Sequence, residues 1–572
     1  MARKRRQQKQ FDAAVQAHTQ GNLDAAVSGY RRLLSARPRD HEVAHQLGLA
    51  LWQQGRLEDA LPLLESAVKQ ASGEGRYWSN LGNARQSAGR LESAIAAYSE
   101  AVDREPERHA AWSGMGVALR GLGRLPEAVA ALRRAAAIPG VGVAVWQNLG
   151  SALSEDGQHE AAAAALSRAV AMAPHDGETH NALGNACMDA GLRTEARAAY
   201  LSAIQCSPDS PVFRTNLGIL LARSGESDAA MDAFEAAIAQ DPGYVDAYTH
   251  FGLQLRASGH VQPAIATWQR GLSIRPTPEA WLNLALALLE LGHEAAGIEN
   301  LRNLLGLFPE DVPALLALAG ALVGQGKHDA AVARYEAALA ISPSHPEATH
   351  FLDALQQRTP ARAPEGYVRK LFDEYATRFE QHLVGELGYR TPQRLADLIA
   401  TLRPGPLGRV CDLGCGTGLM GGLLADRCTT LAGIDLSGEM IAQARSKGHY
   451  DALHVGDIES ILPTVGVLDL LVAADVVIYI GDLDGLFAAA AAALAPDGLL
   501  ALTTEHTDGE GWCLLPSGRY AHSREAITAL AETHGLIVLC AVVEPIRQER
   551  GVWLDGGLYV FGKAGAGQKP SA

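Results

Sequence analysis

The chain has 572 residues, too many for one ordinary domain and enough for about three or four, or for a repeat array plus one domain. Hydrophobic residues make up 48% and charged residues 20%, so the chain can bury a core and is not disordered overall. Lys+Arg 49 against Asp+Glu 64 gives −15, which argues against a nucleic acid or an anionic membrane as partner, because phosphate binding needs a surplus of cations.

Seven cysteines in no paired spacing make neither a disulfide framework nor a zinc module, and the reducing cytoplasm fits best. No stretch reaches the roughly 18 uninterrupted apolar residues of a membrane span. The aromatic fraction is only 6% and alanine is abundant, which suits closely packed small-residue helices. The chain opens on a basic tail, residues 1–6, with no apolar run behind it. It reads as a solvated end rather than a secretory signal.

A 34-residue period follows. Trp78, Trp112 and Trp146 keep that spacing, as do Gly89, Gly123, Gly157, Gly191, Gly225 and Gly259. Ala94, Ala128, Ala162, Ala196, Ala230 and Ala264 share it, and Tyr98, Leu132, Leu166, Tyr200, Phe234 and Trp268 come four residues later. Pro106, Pro174, Pro208, Pro242 and Pro276 close the units. In Leu81-Gly82 and Leu149-Gly150 a large residue stands beside one without a side chain, so two helices can approach closely. The later glycine makes the turn, and the proline stops the second helix.

This pattern resembles the tetratricopeptide repeat (TPR). Ten units fit, spanning residues 7–345; the first is degenerate, and the ninth starts one residue early with Ala285 and Gly297 at small positions. Residues 346–357 read as an end-cap helix, which an array needs because its last apolar face has no neighbour. The resemblance implies an α-solenoid with a concave groove for a protein or peptide. Asn80, Asn148, Asn216 and Asn283 recur at one repeat position, with Asn83 and Asn185 three residues on. A carboxamide both donates and accepts, so an asparagine ladder is one way to grip a peptide backbone. The other reading is that Asn is merely common there.

Residues 358–366 (RTPARAPEG) hold two prolines and no apolar period and read as a hinge or short linker. Beyond them strand-like and helix-like runs alternate, the pattern of an α/β domain with a parallel sheet over residues 367–565. Residues 566–572 are a tail. Val410–Leu413 reads as a strand, Gly414, Gly416 and Gly418 as the turn, and Leu419–Arg427 as a helix whose N-terminus presents free N–H groups. A second strand, Thr430–Ile434, ends in Asp435, where a carboxylate can accept both hydroxyls of a ribose.

Gly416-x-Gly418-x-x-Gly421 is also a loose dinucleotide fingerprint, which is weak on its own, and a nicotinamide oxidoreductase stays a distant alternative. Asp412, just before the first glycine, would repel a pyrophosphate. Asp435-Leu436-Ser437 followed by Met440 supplies a ribose acid and an apolar lid for an adenine. A third strand ends at Gly456-Asp457, an acid placed to accept from the adenine amine.

The whole resembles the class I S-adenosylmethionine-dependent methyltransferases, from Gly366 to about Lys563, and among them bacterial predicted methyltransferases that carry TPRs. The resemblance implies a Rossmann-like sheet of seven strands with the last antiparallel. It implies that Asp412, Gly414, Cys415, Gly416 and Gly418 bracket the methionine portion, with Asp475 near its amine. Asp435 would hold the ribose, Leu436 beside it would also bind the cofactor, Met440 would cover the base, and Asp457-Ile458 would meet the adenine.

A methyl carried on a sulfonium is already activated, so a base is needed only where the nucleophile must lose a proton. Candidates are Tyr375, His382, Tyr479, His506, Tyr520 and His522. Tyr375 and Phe379 also suit a lid over the cofactor. No metal constellation is expected, because the histidines are scattered. Three functions stay open. The first is a methyltransferase whose array recruits a protein substrate or partner. The second is a small-molecule methyltransferase with TPRs used for assembly. The third is a TPR scaffold with an inactive domain.

Overall fold

A computed structural model describes residues 2–376, 379, 390–549 and 552–563. The chain forms two compact units, Met1–Asn283 and Leu284–Ala572.

The first unit is a succession of helix pairs, from Ala2–Thr19 with Leu23–Ala36 to Val245–Ala257 with Val261–Ile274. Small residues set its packing. A Cβ on Gly82 would lie 2.6 Å from the Tyr98 ring, so the glycine is what lets the buried tyrosine of the second helix reach the first. Gly89 has φ 72° and turns the chain between the helices of this pair. The second helices bury alanines at their crossing points; Ala94, Ala97 and Ala101 are all fully buried. The high alanine content is thus spent on close helix contacts.

The second unit opens on helices Glu294–Leu307, Val312–Gly324, His328–Ile341 and Pro346–Leu355. Helices Glu365–Tyr375 and Thr391–Leu402 lead into the sheet. Its strands are β1 (Gly408–Leu413), β2 (Cys428–Asp435), β3 (Ala452–Val455), β4 (Leu468–Ala473), β5 (Leu494–His506), β6 (Trp512–Leu514), β7 (Tyr520–His522), β8 (Leu536–Glu549) and β9 (Val552–Lys563). Strands β3, β2, β1, β4 and β5 lie side by side in parallel. Strand β9 is inserted antiparallel between β5 and β8. These are the seven expected strands with the last reversed. The sheet has nine among the described residues because a short hairpin, β6–β7, adds to the end of β5 through Glu505 and His506.

Val410, Cys411, Asp412 and Leu413 are all buried, as a strand covered on both faces requires. Leu395, Ile399 and Met420 pack on one face of the sheet, and Leu462, Phe487 and Ile527 on the other. The carboxyl ends of β1, β2 and β4 stay uncovered by these layers, which is where open α/β sheets bind ligands.

Residues 358–364 are not a free hinge. Ala361 carbonyl accepts from Gly481 N–H and Asp482 N–H, each at 2.8 Å, and Ala363 N–H donates to Tyr479 carbonyl at 3.0 Å. Arg362 forms a β-bridge with Ile480. A segment without apolar period is held by its backbone, which the sequence pattern does not display.

Candidate active site

A cavity of about 480 Å³ opens at the carboxyl ends of β1, β2 and β4, within the usual size of a small-molecule site. Gly414, Gly416, Asp435, Leu436, Asp457, Ile458 and Asp475 line its inner side. Val368, Phe372, Tyr375, Phe379, Tyr479 and Ile480 form an apolar, aromatic outer side.

The inner side is built on the turn after β1. Gly414 and Gly416 have φ 65° and 51°. A Cβ on Gly414 would lie 2.3 Å from Val476, whereas at Gly416 the nearest atom is on the Phe379 ring at 4.0 Å. Gly414 therefore serves packing, and Gly416 offers bare backbone to the cavity. Asp435 is 9% exposed. One of its oxygens accepts from Gly416 N–H at 2.8 Å and the other from Ser437 N–H at 2.9 Å. Burial pushes this carboxyl above the usual range, and the two backbone donors pull against that. Each carboxylate oxygen has a second lone pair, so the group can still receive the two hydroxyls of a diol. Asp475 brings a carboxylate that suits a cationic ligand end, and Asp457 one that suits a hydrogen-bond donor. Asp475 holds φ 56°, rare for a residue with a side chain. Its N–H donates to Thr503 Oγ1 at 2.8 Å, and that hydroxyl donates back to Asp475 Oδ1 at 3.1 Å. This donor and acceptor set fits an adenine-ribose ligand with a charged amino-acid end.

Four expected ligand residues do not reach the cavity. Asp412 is 1% exposed and accepts a hydrogen bond from Tyr450 Oη at 2.6 Å. Strand alternation points it into the sheet face rather than past the strand end. Burial pushes its carboxyl up to about 7. Cys415 is buried, its N–H bonded to Ile434 carbonyl at 3.0 Å, and burial raises its thiol. Gly418 lies against Tyr450 and Ala444. Met440 is fully buried under its own helix, Gly438–Lys447.

Of the proton-transfer candidates, Tyr375 and Tyr479 line the cavity. Tyr375 packs edge-on against Phe379 at 5.4 Å, and Tyr479 against Phe372 at 5.3 Å. His506 pairs with Asp508 at 3.3 Å, outside the lining. His522 is buried with Nε2 on Gly481 carbonyl at 2.9 Å. Tyr520 is fully buried. The last two hold the hairpin in place. His382 lies outside the described residues.

The sequence did not single out Arg362, Asp373, Tyr450 or Arg519. Arg519 lines the cavity and ion-pairs with buried Glu505 at 2.8 Å. Each is brought in by tertiary contact. Among the described residues no group of three His, Cys, Asp or Glu is placed to hold a metal ion, and no helix is long and apolar enough to cross a membrane.

In the repeats, Asn80, Asn148, Asn216 and Asn283 are all half-buried. Asn80 Nδ2 meets His45 Nε2 at 3.0 Å, and Asn216 Nδ2 donates to Asn181 Oδ1 at 2.8 Å. Both contacts tie one repeat to the one before. Asn83 and Asn185 instead accept from buried Tyr98 and Tyr200, each at 2.7 Å. Their task is inside the repeat, not toward a groove.

The family profile described as "Methyltransferase domain" matches residues 411–502. Tetratricopeptide-repeat profiles match residues 6–75, 79–141, 148–211 and 282–346, and a second such profile matches 211–236. The chain is 32% identical over 146 residues to the biotin biosynthesis bifunctional protein BioCD of Bordetella avium, covering 25% of this chain and 30% of that protein. It is 31% identical over 134 residues to the malonyl-[acyl-carrier protein] O-methyltransferase of Salmonella typhimurium, covering 23% of this chain and 51% of that protein. The match thus spans about half or less of these relatives. Among solved structures, the TPR protein YrrB aligns with TM-score 0.31 and 21% identity, over 34% of this chain and 97% of that one. A tetratricopeptide-repeat protein from Parabacteroides merdae aligns with TM-score 0.33 and 15% identity, over 44% and 98%. The chain thus carries tetratricopeptide repeats followed by a methyltransferase domain.

Proposed function

We propose that the C-terminal domain is an S-adenosylmethionine-dependent methyltransferase and that the repeats bring it a protein substrate or partner. The observation that carries the reading is Asp435, buried at the cavity wall with both oxygens held by backbone N–H groups beside the bare backbone of Gly416. When bound, the cofactor supplies a methyl group on a sulfonium, already activated for transfer. Asp435 holds the ribose hydroxyls, Asp457 and Ile458 meet the base, and Asp475 faces the ammonium. The aromatic outer side excludes water and aligns the incoming nucleophile. Where that nucleophile must lose a proton, the hydroxyls of Tyr375 and Tyr479 are two groups on the cavity wall that can relay it.

A second reading, transfer to a small or carrier-bound acceptor, is favoured by the apolar outer side and by the relative named for malonyl-[acyl-carrier protein]. Incubating the full chain with labelled S-adenosylmethionine and cell extract separates the two. A labelled protein band, lost with Asp435→Ala, supports recruitment of a protein substrate, and a labelled small molecule supports the second reading. No transfer, together with no heat on titrating S-adenosylhomocysteine, would overturn both.

A further inference from the structure

Arg362 stands in the segment that follows the end-cap helix, and its guanidinium lies at the cavity wall. Nη1 donates to Asp457 Oδ2 at 3.2 Å and Nη2 to Glu459 Oε1 at 2.5 Å. Asp457 Oδ1 is used on the other side: it accepts from Ser460 N–H at 3.1 Å and Ser460 Oγ at 3.2 Å, capping helix Ile458–Val465. The carboxylate is therefore clamped through both oxygens, one by the helix and one by Arg362. The clamp is itself held, since Ala361 and Ala363 bond the backbone of residues 479–482. As a contribution to stability this ion pair is small, because Arg362 is 45% exposed and exposed pairs are screened. Its effect is on orientation, and it offsets the mutual repulsion of Asp457 and Glu459.

We propose that Arg362 is a positioning residue of the cofactor site, fixing the Asp457 carboxylate so that the remaining lone pair of Oδ2 faces the exocyclic amine of the adenine. This rests on the reading that the cavity takes S-adenosylmethionine. The role is selective: it concerns the amine of the base and leaves ribose and amino-acid contacts untouched.

The test is calorimetric titration of the full chain with S-adenosylhomocysteine and with S-inosylhomocysteine, whose base carries a carbonyl in place of the amine. The wild type should prefer the adenosine compound by about tenfold, the worth of one hydrogen bond to a charged group. Arg362→Gln should erase most of that preference while changing affinity for the inosine compound less than about twofold, and Asp457→Asn should erase or reverse it, because its amide N–H can donate to the inosine carbonyl. The double variant should lose no more than either single one, because the two residues act as a unit. Arg362→Lys, which keeps charge without the fork, should retain part of the preference. Equal weakening of both ligands by Arg362→Gln, or no change in either, overturns the proposal. Wild type that binds neither compound overturns the cofactor reading, and this proposal with it.

Discussion

His350 Nε2 and Gly518 carbonyl share a hydrogen bond of 2.8 Å. His350 belongs to helix Pro346–Leu355, which follows the last repeat, and Gly518 to the turn between β6 and β7. The imidazole is 1% exposed and packs against Tyr367 at 5.1 Å and Tyr520 at 6.1 Å. A Cβ on Gly518 would lie 2.8 Å from the Phe351 ring. On either side of Gly518, Ser517 and Arg519 line the cavity. The helix that ends the array is thus also a support for the cavity wall.

A fragment beginning at residue 358 should be damaged where one beginning at 344 is not. The shorter one loses the burial of His350, Leu352 and Ala354. At about 1.5–3 kcal/mol for each large buried side chain, its thermal midpoint should fall by at least about 5 °C relative to the longer fragment. His350→Ala in the full chain should cost about 2 kcal/mol, because Gly518 carbonyl and the surrounding rings lose their partner. Differential scanning calorimetry reads both. Equal midpoints for the two fragments would show that the helix belongs to the array alone.

His45, in the first unit, should make the repeats sensitive to acid. It is 2% exposed, stacked on Tyr77 at 4.1 Å and bonded to Asn80. Burial pulls its imidazole from 6.5 to about 4. Between those values the unfolded chain binds a proton that the folded chain refuses, so stability falls as pH drops. The contribution is fully present above pH 6.5 and lost progressively toward pH 4. His45→Gln should flatten the fall in thermal midpoint over that window. A parallel fall in variant and wild type would assign the acid sensitivity to other groups.

How much of this was readable in the chain differs by kind of feature. The repeats were legible because Gly82 and Tyr98 depend on each other at a fixed spacing, and that dependence recurs. The first three strands were legible because their ends lie at or beside Gly414, Asp435 and Asp457. Side-chain direction was not: Asp412 sits in the motif yet faces Tyr450, 38 residues away. Nor was the β6–β7 hairpin, whose strands are three residues each and carry too little period to mark themselves. Arg362 was hidden for a similar reason. Proline and polarity announce a linker whether or not its backbone is pinned, and the partners that pin it lie more than 90 residues on.

Asp412 offers a test of that distinction. Burial pushes its carboxyl from 3.8 up to about 7, so the folded chain holds a proton there that the unfolded chain releases. The stability this provides is complete below pH 3.8 and lost as pH rises through about 7. At pH 8 the wild type must bury a charge. Asp412→Asn keeps an acceptor for Tyr450 Oη and removes the charge, so its thermal midpoint should exceed that of the wild type by a few degrees at pH 8. The advantage should shrink toward pH 5. Because Asp412 does not line the cavity, affinity for S-adenosylhomocysteine should change less than about threefold. A loss of tenfold or more would place the carboxylate in ligand contact after all.

The aromatic side of the cavity has its own anchor. Ser437 Oγ donates to Asp373 Oδ1 at 2.5 Å and accepts from Met440 N–H at 3.0 Å. One hydroxyl therefore caps helix Gly438–Lys447 and also ties down helix Glu365–Tyr375, which brings Phe372 and Tyr375 to the cavity. Asp373 in turn adds negative charge near Asp435 and helps to raise its carboxyl. Asp373→Ala removes both the tether and the charge, whereas Asp373→Asn keeps an acceptor and removes only the charge. If the tether holds the aromatic side over a bound ligand, Asp373→Ala should speed dissociation of S-adenosylhomocysteine by about tenfold, the worth of one charge-assisted hydrogen bond. Asp373→Asn should speed it by about threefold or less. Ser437→Ala should do the same as Asp373→Ala and also lower stability by about 1 kcal/mol through loss of the helix cap. Stopped-flow displacement gives the rates and thermal melting the stability. Unchanged dissociation in Asp373→Ala would show that the helix is held by its aromatic packing, Phe372 on Tyr479 above all, and that the tether serves only the fold.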